Sequence, residues 1–248
     1  PKAIAEALHI SSTGRKGPVL VDMPKDVLIG ESEFKIPNKV KLKNYSENPE
    51  LQKKDFNKFK SALKNSNKPL LIYGRGSCSE SNTKYIEKIS QIFKIPSLSS
   101  ILSLGVLGKS KNNFGLVGEE GSYASNILID GSDLIISIGC DLKKIIPESS
   151  LDGKKMVVVN IDNTQLLNDN KNILNILTNS SFFLEAFSRL KDKMKFSWDK
   201  EDLSLLHKKN SENKLKIISK NKKAFIFSTL SELLGDKAII CSDFSYED

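Results

Sequence analysis

Two uninterrupted apolar runs, each closed by glycine, constrain this chain more than any other feature. The first is Pro69-Leu70-Leu71-Ile72-Tyr73-Gly74-Arg75-Gly76-Ser77, and the second is Asp133-Leu134-Ile135-Ile136-Ser137-Ile138-Gly139-Cys140-Asp141. Neither alternates apolar with polar residues, so each reads as a short strand covered on both faces, as in a parallel sheet held between helices. In such sheets ligands sit beyond the carboxyl ends of the strands, where a missing Cβ lets a phosphate or ribose approach the backbone. Gly74, Gly76 and Gly139 are therefore candidates for the rim of a nucleotide-sized site. Glycine is also the commonest way simply to leave a strand, and that reading stays beside the first.

The remaining segments continue the alternation of strand and helix expected of an α/β chain. Helices are predicted over 1–12 and 49–65, and over 79–93 with Tyr85, Ile86, Ile89, Ile92 and Phe93 inward. Strands follow at 95–99, at 116–118 as a brief strand or turn, at 134–138, at 156–162, and at 173–177 as an edge. Ser122 is the expected N-cap of a helix reaching Ile129, and residues 182–190 are expected to cover the sheet. Val19-Leu20-Val21, stopped by Pro24, reads as a buried strand. One helix and one strand cannot enclose a core, so the first 27 residues are expected to close a domain that continues outside this chain. Residues 28–48, rich in Lys, Asn, Ser and Pro, read as a linker. The lysine-rich stretch 191–223 reads as a helical or extended connector. A further helix at 224–234 and strand at 237–243 again lack partners in the sequence.

Composition narrows the function classes. An apolar share of 39 % supports a core, and no run approaches the roughly 20 apolar residues of a spanning helix, so no membrane role is expected. The net charge of +8 is carried almost wholly by lysine, with Arg15, Arg75 and Arg189 the only arginines. The lysines are interleaved with Asp, Glu and Asn and do not alternate with aromatics, which argues for a solvated surface and against nucleic acid as a partner. Cys78, Cys140 and Cys241 are far apart and odd in number. They point to a reducing, cytoplasmic setting and against a disulfide framework or cysteine metal site.

Gly14-Arg15-Lys16-Gly17-Pro18-Val19-Leu20-Val21-Asp22-Met23-Pro24-Lys25-Asp26-Val27 resembles the G-R-P-G-P-V-x-x-D-x-P-x-D-V stretch that closes the pyrimidine-binding domain of thiamine diphosphate-dependent enzymes. The acetolactate synthase branch is particularly similar. Gly118-Glu119-Glu120-Gly121-Ser122-Tyr123-Ala124-Ser125-Asn126 resembles that family's G-x-x-G-x-x-x-A-N element, Ser132 and the run after it resemble A-D-L-I-I-x-x-G, and Asn160-Ile161-Asp162 stands where D-I-D is usual. The resemblance implies a Rossmann-like parallel sheet with helices on both faces, flanked by partial α/β pieces. It divides the chain into the end of the pyrimidine-binding domain (1–28), a linker (29–48), the central domain (49–191), a connector (192–223) and the start of the diphosphate-binding domain (224–248). It implies decarboxylation of a 2-oxo acid and addition of the product to a second carbonyl, in branched-chain amino acid biosynthesis, by a homodimer or homotetramer. Thiamine diphosphate and magnesium would be held mainly by segments outside these residues, leaving this fragment inactive alone and without catalytic residues of its own.

In relatives the central domain often holds FAD. Gly74, Gly76, Gly118, Gly121, Gly139 and Asp162 match the family's dinucleotide-contacting motifs, but its G-x-R-F-x-D-R reads Gly139-Cys140-Asp141-Leu142-Lys143-Lys144-Ile145 here. The arginines expected at Asp141 and Ile145 are missing, and a carboxylate repels a diphosphate. FAD, an ADP-type ligand or nothing stay open for this pocket. So do a related enzyme with another acyl donor and a non-catalytic nucleotide-binding or structural module. Glu119 and Glu120, being adjacent, diverge and read as a solvated loop; His9 and His207 read as surface residues, and Cys140 as core and not nucleophile.

Overall fold

The computed structural model describes the chain apart from residues 32, 34, 36–38, 44, 119, 120, 169, 192, 193, 236, 237 and 240–248 and the side chain of Glu148. Its elements, in order, are α1 (Lys2–Ser12), α2 (Lys25–Ile29), α3 (Lys53–Lys64), β1 (Pro69–Tyr73), α4 (Glu80–Phe93), β2 (Ser97–Ser99), β3 (Asn113–Leu116), α5 (Tyr123–Gly131), β4 (Leu134–Ile138), α6 (Leu142–Ile145), α7 (Glu148–Leu151), β5 (Lys155–Asn160), β6 (Ile173–Leu177), α8 (Ser180–Ser188), α9 (Lys200–Lys220) and α10 (Lys222–Leu234). Six strands form one sheet in the order β3-β2-β1-β4-β5-β6. Every pairing is parallel. Both glycine-edged runs are therefore central strands, adjacent and in register from Pro69 opposite Leu134 to Tyr73 opposite Ile138. Pro69 costs the ladder little because it is the first residue of its strand.

Alternation along the strands sends Leu71, Tyr73, Ile136, Ile138, Val157, Val159 and Ile176 to one face. There they pack with Phe59 and Leu63 of α3, Ile86, Ile89 and Phe93 of α4, and Phe183, Leu184 and Phe187 of α8. Edge-to-face aromatic pairs knit these helices, with ring centroids 4.8 Å apart for Phe59 and Phe183 and 4.9 Å for Phe59 and Phe187. The intervening residues Leu70, Ile72, Ile135 and Val158 are equally buried and face the other way. Right-handed crossovers from β1 to β2 and from β3 to β4 run in opposite directions along the sheet, which puts α4 and α5 on opposite faces. Ala124, Ser125, Leu128 and Ile129 are the buried residues of α5.

Several local expectations change. Val19-Leu20-Val21 is not a strand: no strand pairs with it among the described residues, and Leu20 is 93 % exposed. The third strand lies earlier than 116–118, because Asn113 and Leu116 are the residues that meet Ser97 and Ser99 of β2. Ile92 points outward while its neighbours Ile89 and Phe93 are buried. Ser122 precedes α5, but its hydroxyl donates to Phe114 O at 2.6 Å instead of capping the helix. The connector is largely one helix, α9, whose start Asp199 caps by accepting from Glu201 N and Asp202 N. The strand expected at 237–243 falls mainly outside the described residues, as do Glu119, Glu120 and Cys241.

The chain forms two compact units, Pro1–Trp198 and Asp199–Asp248. The first contains the sheet and ends where the Trp198 indole N–H donates to Pro69 O at 2.8 Å. Ahead of the sheet, α1 is joined to the following segment at Tyr45. The Tyr45 and Thr13 hydroxyls lie 2.7 Å apart, and the His9 ring meets Tyr45 edge-on. Farther on, Asn179 N donates to Pro49 O at 2.9 Å. In the second unit α9 packs on α10. No helix among the described residues is long and apolar enough to cross a membrane.

Candidate functional site

The strand order reverses between β1 and β4, since the chain leaves β1 toward β2 on one side and returns at β4 on the other. A crevice at the carboxyl ends is expected at such a switch point. The structure has one there, a cleft of about 610 Å³ whose lining includes Arg15, Arg75, Gly76, Gly139, Asp141, Asn160 and Gln165. It therefore brings together Gly76 and Gly139, with Gly74 behind them, and places Asp162 at the same edge through its contact with Arg15.

The glycines meet each other. A Cβ on Gly74 would lie 2.3 Å from Gly139 O, one on Gly76 2.9 Å from Gly139 Cα, and one on Gly139 2.6 Å from the Gly76 carbonyl carbon. Gly139 also has φ +62, a conformation that favours glycine. Hydrogen bonds run along the same contact. Gly74 N–H donates to Ile138 O, Gly76 N–H to Gly139 O, Ser77 N–H to Gly74 O and Gly139 N–H to Val159 O, all at 2.8 to 2.9 Å. The Ser180 hydroxyl donates to Gly76 O from the start of α8. These four amides are thus committed within the protein, whereas a phosphate cradle leaves such donors for its anion.

Gly118 and Gly121 stand apart from the cleft. Gly118, at φ +120, has room taken by Ile145, and a Cβ on Gly121 would lie 2.7 Å from Gly118 O. Gly118 lines a neighbouring depression with Ile101, Lys143 and Pro147, and Ile145 forms the wall between the two.

Charge is the feature that reading the sequence missed. Arg15, in the turn after α1, reaches across to the sheet edge, its guanidinium 3.1 Å from Asp162 Oδ2 and 4.0 Å from Asp141 Oδ2. Lys144 lies 3.5 Å from the same Asp141 oxygen. The Gln165 amide, oriented with its nitrogen toward Asp141, donates at 2.6 and 2.9 Å and accepts from Arg15 at 2.8 Å. Asp162 Oδ1 accepts from Thr164 N at 2.9 Å and from its hydroxyl at 2.8 Å. Burial alone would raise the Asp162 pKa, but the bonds from Thr164 and the Arg15 charge outweigh it, so the carboxyl is held below its ordinary value. The signal that could have located this network was the Asp141 substitution read beside Arg15. The sequence gives no distance between residues so far apart, so their pairing stayed hidden.

The two cysteines of the region differ. Cys140 is buried behind the glycines, where burial, opposed by a Ser137 hydrogen bond and helped by the Asp141 charge, pushes its thiol up to about 12. That is an inert core thiol. Cys78 faces the cleft, and burial raises its pKa too, against the Ser77 hydrogen bond and the Arg75 charge. His9 is half-buried, with Nε2 3.3 Å from a Glu47 oxygen. Among the described residues no group of three or more His, Cys, Asp or Glu side chains could hold a metal ion.

Comparison with known proteins places this geometry. A family described as thiamine pyrophosphate enzyme, central domain, matches residues 56–187, which run from within α3 to α8. The acetolactate synthase of Mycobacterium leprae is 34 % identical over 140 residues, covering 56 % of this chain and 22 % of the relative. The acetolactate synthase large subunit of Haemophilus influenzae is 29 % identical over 198 residues, 75 % of this chain and 34 % of the relative. That of Buchnera aphidicola subsp. Schlechtendalia chinensis is 26 % identical over 270 positions, 98 % of this chain and 45 % of the relative. The chain thus spans less than half the length of these relatives. An all-parallel sheet with a crevice at its switch point and a family match over more than half the chain agree, and the chain belongs to the thiamine pyrophosphate enzymes, with the sheet as their central domain.

Proposed function

We propose that these residues are part of a thiamine diphosphate-dependent, acetolactate synthase-like enzyme that decarboxylates a 2-oxo acid and condenses the product with a second carbonyl. The observation that supports this most is that one family match runs through the sheet from β1 to β6 while similarity to acetolactate synthases extends over nearly the whole chain. Thiamine diphosphate supplies the carbanion stabilisation when bound. Magnesium accompanies it, and both are held mainly by segments other than these residues. The part played by this chain is architectural. Its sheet is the rigid slab, and residues 1–28 and 224–248 belong with the pyrimidine-binding and diphosphate-binding domains on either side, joined through 29–48 and 192–223. The enzyme is cytoplasmic and works as a homodimer or homotetramer.

A second reading is a module without catalysis, favoured by the committed amides and the carboxylate at Asp141. The two separate by assay. The protein containing this chain should release carbon dioxide from pyruvate only when thiamine diphosphate and magnesium are added, while residues 1–248 alone should not. Absence of thiamine-dependent turnover with pyruvate and with a panel of other 2-oxo acids would leave the module reading standing.

A further inference from the structure

We propose that the switch-point cleft is ligated from within. Arg15, clasped by Asp162 and Asp141, occupies it in place of an anionic ligand and straps residues 14–17 to the carboxyl edge of the sheet, so that the cleft takes no dinucleotide diphosphate. Three independent observations converge. The amides of Gly74, Gly76, Ser77 and Gly139 donate inward, to the Ile138, Gly139, Gly74 and Val159 carbonyls. Asp141 lines the cleft and Asp162 stands at its edge through Arg15, with side chains only 19 % and 22 % exposed, so two carboxylates border the space an anion would enter. The Arg15 guanidinium is already paired, and Gln165 joins it to Asp141, closing a ring of contacts that a ligand would have to break.

A strap of this kind is electrostatic and half in water, since the Arg15 side chain is 48 % exposed. It should therefore loosen with salt. The test uses the 248-residue chain. FAD and ADP are titrated by calorimetry and by flavin fluorescence, and amide hydrogen exchange is followed at residues 13–17 as sodium chloride is raised. The expected result is no saturable FAD or ADP binding, and exchange at 13–17 that rises roughly two- to fivefold with salt while β1 and β4 stay protected. Asp162→Asn should reproduce that rise at low salt. The salt titration needs no variant and decides the matter if Asp162→Asn fails to fold. Stoichiometric flavin in the purified chain, saturable FAD or ADP binding, or exchange at 13–17 that ignores both salt and Asp162→Asn would overturn the proposal. Flavin binding would do so without touching the carboligase reading, which fails instead on absent thiamine-dependent turnover.

Discussion

At Gly139 two demands coincide: a positive φ, and a neighbour too near for a side chain. Gly153 has only the first, with φ +73 and open space around its missing Cβ. Replacing each by alanine therefore separates strain from contact. Gly153→Ala should cost about 1–2 kcal/mol, the usual penalty for an L residue in the left-handed region. Gly139→Ala should cost at least about 2 kcal/mol more or prevent folding, because the new methyl meets backbone and not a movable side chain. Urea unfolding of both variants checks this, and equal costs would mean that the contact is readily relieved. Reading the sequence located Gly74, Gly76 and Gly139 at strand ends. It could not say that each faces another glycine, because that depends on which strands are neighbours. The same limit hid Arg15: a residue type in a motif is legible, whereas a contact across 147 positions is set by folding.

The elements were legible in proportion to how much they bury. β1, β4 and β5 are continuous apolar runs and lie where periodicity puts them, within a residue or two. The short edge strand β3 carries one buried residue in four, Phe114, so pattern alone misplaced it. Val19-Leu20-Val21 has the composition of a strand and no partner among the described residues, which shows that apolar content makes a strand only where a ladder is available. A junction between elements yields a pH prediction. The Asp133 carboxylate, just before β4, accepts from the Ser66 hydroxyl at 2.5 Å, Asn67 N at 2.7 Å and Lys68 N at 3.0 Å, tying the end of α3 to the sheet. Burial opposes ionisation there, but these bonds outweigh it and hold the pKa below the ordinary carboxylate value. Stability from Asp133 is therefore fully present above its unfolded pKa of about 3.9 and is lost as pH falls through the lower folded value. Urea midpoints should decline below about pH 4, and Asp133→Asn should flatten that decline while lowering the plateau above it. An unchanged acid slope in the variant would assign the loss to other carboxylates.

At the scale of the molecule, the two units rest on different kinds of support. Pro1–Trp198 encloses a core of three helices on one sheet face, whereas the second unit is a pair of helices in which Leu206 is the one buried residue of α9 and α10 among the described residues. A helix pair with so little burial gains little from tertiary packing, the usual source of helix stability. A chain ending at Trp198 should therefore retain a single cooperative unfolding transition and the tryptophan fluorescence set by the Pro69 contact. Residues 199–248 in isolation should show weak helicity by circular dichroism. Loss of cooperativity on truncation would mean that the sheet depends on residues 199–248. Family membership was readable because residues 14–27 match the family's closing stretch at many positions.

The approach of Gly76 to Gly139 has one more consequence. In most crowded cores an enlarged residue can be rescued by shortening its neighbour, and sequence drift proceeds through such compensating pairs. Here both parties are already reduced to main chain, so there is nothing left to shorten. Screens for second-site suppressors of a substitution at either position should return changes that shift an entire strand or loop, and none at the opposing residue itself.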